Sequence, residues 1–216
     1  MSVVPTLLPR RPWGRPFTPE DLATLPGDGR RYEVVDGSLL VTPGPTRAEL
    51  AGYPDDDGYR YELVDGTLLV TPAPSLVHQR AQLRLGALLL YAAPRGFEVL
   101  TSPFSVVPAD DTEMQPDVLV AHKSDFTAAD LPGAPLLAVE ILSPSTRRFD
   151  LRLKKDRYAR AGTAAYWVVD PAAVRLVAWH LRGGAYEQVA DVTGDEAYAA
   201  EVPFPVTVTP SALVAD

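Results

Sequence analysis

Leu136-Leu-Ala-Val-Glu140-Ile-Leu142 is an apolar run with one charge in it, and Ser143-Pro-Ser-Thr146 follows at once. A short continuous apolar run bounded by turn formers reads as a strand buried on both faces. Ser143 to Thr146 supply caps for a helix to about Ala161, where Gly162 closes it. A buried strand handed straight to a helix points to an α/β domain. The single charge is the second message. An ionised carboxylate in such a strand costs several kcal/mol unless a cation or hydrogen-bond donors meet it. A structural salt bridge, or a Glu on a strand face turned to solvent, would account for the same residue.

Upstream, Gln115-Pro116-Asp117 opens a second apolar stretch, so that Met114 to Ala121 reads as a strand. An Asp at a strand entrance is often turn chemistry. Paired with Glu140 it says more. Two acids on short strands can converge at one end of a sheet and bind a hard cation such as Mg²⁺ or Mn²⁺. Further back, Ser75 is an N-cap for a helix over Leu76 to Tyr91, stopped by Pro94 and Gly96. Phe97 to Val107 reads as one or two strands broken at Pro103, and Ser124 to Pro135 as a connection.

Downstream, Asp150, Lys154 and Tyr158 follow at steps of four and share one helix face. An ordinary surface ion pair beside a core tyrosine explains them; so does a lysine that orients water or offsets charge. Between Arg147 and Arg160, seven basic residues face Asp150 and Asp156. That patch suits either phosphate contact or a solvated helix face. Tyr166 to Val169 and Val174 to His180 read as strands, and Tyr186 to Val208 as strand and loop.

The N-terminal part carries a repeat. Arg31-Tyr-Glu-Val-Val-Asp-Gly-Ser-Leu-Leu-Val-Thr-Pro-Gly-Pro45 recurs at Arg60 to Pro74 with 12 of 15 positions identical. Two copies are too few for a solenoid. Each reads as a hairpin turning at Asp36-Gly37 or Asp65-Gly66. Only the second copy leads into a full helix. The first is followed by a short helical stretch around Arg47 to Leu50 and the loop Asp55-Asp56-Asp57-Gly58. The expected organisation is an extension over 1–58 carrying a duplicated β-hairpin, then the core domain over 59–216.

Composition sets the outer bounds. With 46% hydrophobic and 22% charged residues among 216, a globular core is expected rather than general disorder. No run approaches the roughly 18 apolar residues of a membrane span. Met1 to Arg15, broken by Pro5 and Pro9, does not read as a secretory leader. No cysteine is present, which removes disulfides and thiolate metal sites. The expectation is a soluble, cytoplasmic protein. The net charge of −8 argues mildly against a non-specific nucleic-acid coat, but not against an enzyme whose local field differs. No Gly-x-Ser-x-Gly elbow, P-loop, Gly-x-Gly-x-x-Gly or His-Glu-x-x-His occurs. His78, His122 and His180 are too scattered to suggest zinc.

Several of these pieces, in order, carry a resemblance. Tyr61-Glu-Leu-Val-Asp-Gly66, Thr71-Pro-Ala-Pro-Ser75 leading to His78, Gln115-Pro-Asp117, Val139-Glu-Ile-Leu-Ser-Pro-Ser-Thr146, the Asp150–Lys154–Tyr158 ladder with Ala161-Gly162, and Tyr166-Trp-Val-Val-Asp-Pro171 together resemble the Uma-type family of restriction endonucleases. That family is a branch of the PD-(D/E)XK phosphodiesterase superfamily. The resemblance implies a restriction-endonuclease-like mixed β-sheet flanked by helices, acting on DNA with Mg²⁺ or Mn²⁺. It assigns Glu62, Asp117 and Glu140 as acidic metal ligands. The superfamily's lysine would stand at Leu142; here its place is taken by Lys154, with Lys155 as rival. Arg147, Arg148 and Arg152 are candidates for the DNA backbone. Glu33 occupies the equivalent position in the first hairpin, and Glu62 is preferred because its copy precedes the expected helix. The acidic residue that usually precedes the Tyr-Trp pair is replaced by Ala165. His78 is a cap or a support of the ligands. Cutting both strands of a duplex takes two sites, which suggests a homodimer. The competing reading is a catalytically silent nuclease-fold module for binding or assembly.

Overall fold

The computed structural model describes residues 14–54 and 57–215. Arg10 and Arg11 of the N-terminal stretch, and Asp55 and Asp56 of the acidic loop, lie outside the described residues. The first strands are β1 (Arg31–Val35), β2 (Ser38–Thr42), β3 (Tyr59–Val64), β4 (Thr67–Pro72) and β5 (Phe97–Thr101). The next are β6 (Ser105–Ala109), β7 (Thr112–Met114), β8 (Val118–His122), β9 (Asp130–Pro132) and β10 (Leu137–Ile141). β11 (Ala165–Asp170), β12 (Arg175–Arg182), β13 (Ala185–Thr193), β14 (Tyr198–Ala200) and β15 (Val206–Val208) complete them. The helices are α1 (Arg47–Leu50), α2 (Leu76–Ala92), α3 (Lys155–Ala161) and α4 (Pro210–Val214), with a π-helical segment, Phe149–Lys154, running into α3. The chain forms two compact units.

The first unit comprises the described residues up to Ala73 together with Ala109–Met114 and Pro144–Thr146. Its sheet is antiparallel, in the order β1-β2-β4-β3-β7. Both repeats are hairpins. Asp36 and Gly37 have φ of 51° and 87°, and Asp65 and Gly66 have 48° and 71°. Positive φ at both central residues is the turn whose twist suits a two-residue hairpin, and Asp-Gly meets it at low steric cost. Leu39, Val41, Leu63, Leu68 and Val70 alternate into one core with Phe17, Leu50 and Tyr61. The repeats differ at Gly44 and Ala73 for a steric reason. A Cβ on Gly44 would lie 2.7 Å from the backbone N of Leu68, and the Gly44 N–H donates to the Gly66 carbonyl at 2.6 Å.

The second unit comprises Pro74–Pro108, Gln115–Ser143 and the described residues from Arg147 onward. Its six-stranded mixed sheet runs β13-β12-β11-β10-β8-β5. The β10–β11 pair is parallel, the others antiparallel. Leu137, Val139 and Ile141 point to one face, where they meet Ala81, Leu85 and Leu89 of α2 and Trp167 of β11. Ala138 and Glu140 point to the other face, and both are buried. Cover on both faces is why the run around Glu140 shows no alternation. α2 buries His78, Ala81, Gln82, Leu85, Gly86 and Leu89 at steps of three and four, and leaves Leu76, Leu83, Leu90 and Tyr91 exposed. Among the described residues, no helix is long and apolar enough to cross a membrane.

The structure departs from the sequence reading in two places that matter for the site. The stretch read as one strand over Met114 to Ala121 is divided: β7 ends at Met114 and β8 begins at Val118. Pro116, lacking an N–H, interrupts the ladder between them. The helix after Glu140 includes a π segment over Phe149–Lys154 instead of uniform α geometry. There the Asp150 carbonyl accepts from the Tyr166 hydroxyl at 2.8 Å, a side chain inserted into the helix ladder. Asp150 and Lys154 consequently lie in the protein interior, so the surface form of their ion pair does not hold.

Candidate active site

Glu140 stands one residue before the end of β10, beside Val168 of β11 in register, and is almost fully buried. The π segment brings Lys154 to it. The Lys154 ammonium, 1% exposed, lies 3.4 Å from Glu140 Oε1 and 3.4 Å from Asp150 Oδ1. A buried lysine held between two buried carboxylates is charge-paired on both sides, which offsets the cost of removing all three from water. Lys155 goes elsewhere: its Nζ lies over the Trp179 ring, 4.0 Å from the centroid, and burial lowers its pKa.

Asp117 immediately precedes β8. Its Oδ2 accepts the Ile141 N–H at 2.7 Å, and His78 Nε2 lies 3.1 Å from the same oxygen. The β8–β10 ladder ends at the Val118–Val139 pair. Beyond that pair the Asp117 carboxylate takes over the part of a ladder carbonyl, which ties it to the strand of Glu140. The Asp117 carbonyl accepts from Gln82 Nε2 at 3.1 Å and from the Ser102 N–H at 3.2 Å. Tyr166 packs against Tyr158 with the rings tilted and their centroids 5.5 Å apart. Burial pushes the Tyr166 hydroxyl well above its ordinary pKa, and the charges of Glu140 and Asp150 add to the shift. The phenol therefore stays protonated and donates to the Asp150 carbonyl at neutral pH.

The other candidates have surroundings of their own. Glu62 is buried on β3 in the first unit, whereas Glu33 on β1 is 44% exposed and paired with Arg31 at 2.6 Å. Arg148 and Arg152 are exposed. Arg147 is half-exposed and bonded to Asp170, which also accepts from the Ala172 and Ala173 N–H groups. Burial opposes the charge on Asp170, but Arg147 and the two backbone donors outweigh it and hold the carboxyl below its usual range. His122 packs on Phe97, and His180 is on β12. The sequence marks Tyr166 only as part of a strand motif, with no role at the site, and does not mark Gln82. Gln82 follows His78 by four residues on one helix face, a signal that was available.

Among the described residues, no group of three or more His, Asp and Glu side chains is drawn together to hold a metal ion. The donor chemistry of Asp117 and Glu140 nonetheless fits a hard cation, because both offer buried carboxylate oxygens from adjoining strands.

The comparisons with known proteins agree with this fold. A solved structure described as "a putative nuclease belonging to DUF820" from Anabaena variabilis superposes with a TM-score of 0.60, covering 79% of this chain and 97% of that one at 18% identity. No curated protein matches the sequence. The Uma2 family model, described as "Putative restriction endonuclease", matches residues 47–212, more than three quarters of the chain. The chain therefore belongs to the Uma2 family of restriction-endonuclease-like proteins.

Proposed function

We propose that this protein is a metal-dependent endonuclease that hydrolyses phosphodiester bonds of DNA. The observation that carries the reading is Lys154, a buried ammonium 3.4 Å from the strand carboxylate of Glu140, with Asp117 tied to the next residue of that strand. Asp117 and Glu140 would hold Mg²⁺ or Mn²⁺. The family resemblance assigns Glu62 as a further acidic ligand. When bound, the ion supplies Lewis acidity, making a water more acidic and offsetting charge on the phosphoryl oxygens.

The chain's own residues do the rest. Lys154 carries three N–H donors, and two carboxylates fix its position. The ammonium is thus held to orient a water or to meet charge that develops on the phosphate, with little reorganisation. Arg148 and Arg152, with Arg147, would engage the DNA backbone through forked donors. Cleavage of both strands calls for two such sites, and a homodimer supplies them.

The test is cleavage of supercoiled plasmid with and without Mg²⁺ or Mn²⁺, using wild type, Glu140→Gln and Lys154→Ala. Both variants should lose metal-dependent cleavage while near-UV circular dichroism shows the fold retained. Wild-type cleavage by either variant would sink the assignment. If calorimetry finds no Mg²⁺ or Mn²⁺ site that depends on Asp117 and Glu140, the chain is a binding or assembly module on a nuclease fold.

A further inference from the structure

We infer that His78 and Gln82 of α2 act as a pair of positioning residues for Asp117, one holding its carboxylate and the other its backbone. This inference rests on the proposed metal site and deepens it. The two side chains are one helical turn apart on the buried face of α2. His78 Nε2 lies 3.1 Å from Asp117 Oδ2. Gln82 Nε2 lies 3.1 Å from the Asp117 carbonyl and 2.8 Å from Ser102 Oγ.

Three features make this more than packing. Asp117 follows Pro116 in the break between β7 and β8, where the Ser102 N–H meets its carbonyl but strand pairing does not orient its side chain. The ring of His78 is buried, and among the described residues its Nδ1 has no hydrogen-bond partner. Nε2 is therefore the ring nitrogen placed to donate to the carboxylate, and the contact with Asp117 sets the orientation of the ring. Finally, His78 and the Ile141 N–H meet the same oxygen. The helix and the strand of Glu140 thus grip Asp117 from two sides, and the imidazole governs how the carboxylate is presented beside Glu140. Gln82 accounts for the other half: its amide bonds both Ser102 Oγ and the Asp117 carbonyl, which also accepts the Ser102 N–H. Partners that orient a ligand in this way are commonly worth about 10- to 100-fold in metal affinity.

The experiment uses the full chain and two readouts. The first is Mn²⁺ affinity by calorimetry for wild type, His78→Ala, His78→Gln and Gln82→Met. The second, without metal, is amide exchange at Ile141 relative to Val139 on the same strand. His78→Ala should weaken Mn²⁺ binding roughly 10- to 100-fold. It should also speed Ile141 exchange roughly 3- to 10-fold over Val139, the factor one hydrogen bond of ordinary net strength is worth. His78→Gln, whose amide N–H can stand in for Nε2–H, should recover most of both effects, and Gln82→Met should weaken Mn²⁺ binding without being rescued by any change at His78. A purely structural role would lower the melting temperature of all variants alike and leave the Ile141 to Val139 ratio unchanged, which overturns the inference. So does a His78→Gln variant no better than His78→Ala. Failure of the metal reading looks different: wild type itself binds no Mn²⁺, while the Ile141 ratio still decides whether His78 positions Asp117.

Discussion

Replacing Lys154 by Met keeps the length of the side chain and removes its charge, so the consequences fall on Glu140 and Asp150. At 3.4 Å and an effective dielectric near 20, each ammonium–carboxylate contact is worth about 5 kcal/mol of Coulomb energy. The gross loss is partly offset, because the variant no longer buries an ammonium. What remains is two buried carboxylates without their shared cation, and losses of this kind come to about 3–5 kcal/mol. For a chain of this size that corresponds to a fall in melting temperature of about 6–20 °C. Thermal and urea unfolding at pH 7 measure it, with Lys155→Met as the control. Lys155 is partly buried over Trp179 and contacts neither carboxylate, so its variant should lose only about 0.5–1 kcal/mol of cation–π energy. A Lys154→Met variant whose melting temperature matches that of wild type would refute the reasoning, since the ammonium would then not be holding the charges. In the cleavage assay the same variant should lose about two to three orders of magnitude, as expected for one preorganised donor at a reacting phosphate.

Three further perturbations probe other parts of the molecule. Arg147→Ala should lower stability by about 0.5–1 kcal/mol at pH 7, because its ion pair with Asp170 is half-exposed. Asp170 has a depressed pKa, so this contribution is complete above the unfolded carboxyl value near 4 and is lost as pH falls through the folded value; unfolding curves of variant and wild type should converge there. The double variant Arg148→Ala/Arg152→Ala should weaken DNA binding at low salt and reduce the log–log salt slope by roughly one for each phosphate no longer engaged; an unchanged slope would remove these residues from the interface. Gly44→Ala should destabilise by about 1–3 kcal/mol, because its Cβ would strike the Leu68 backbone, whereas the exchange Ala73→Gly should cost less than that in urea unfolding.

How much could be read beforehand follows from what local chemistry controls. Ser75 begins α2, Asp-Gly turns both hairpins and Gly162 closes α3 with φ of 93°, because capping and positive φ are decided by one or two residues. The burial of Asp150 was not legible. It depends on the π segment and on the Tyr166 hydroxyl, which arrives from a strand 16 residues away in sequence. The two glutamates of the repeat show the same limit more sharply. Glu33 and Glu62 occupy equivalent places in nearly identical hairpins, and no local rule separates them. β3 has β4 on one side and β7 on the other, whereas β1 pairs only with β2 among the described residues and forms the edge. A Glu on the edge strand stays near water and needs only Arg31, but on the inner strand it must be met by buried donors or by a cation. Duplicating the hairpin therefore does not duplicate the surroundings of its glutamate. Glu62→Gln should alter Mn²⁺ affinity where Glu33→Gln leaves it unchanged, and equal effects of the two substitutions would show that sheet position is not what tells the copies apart.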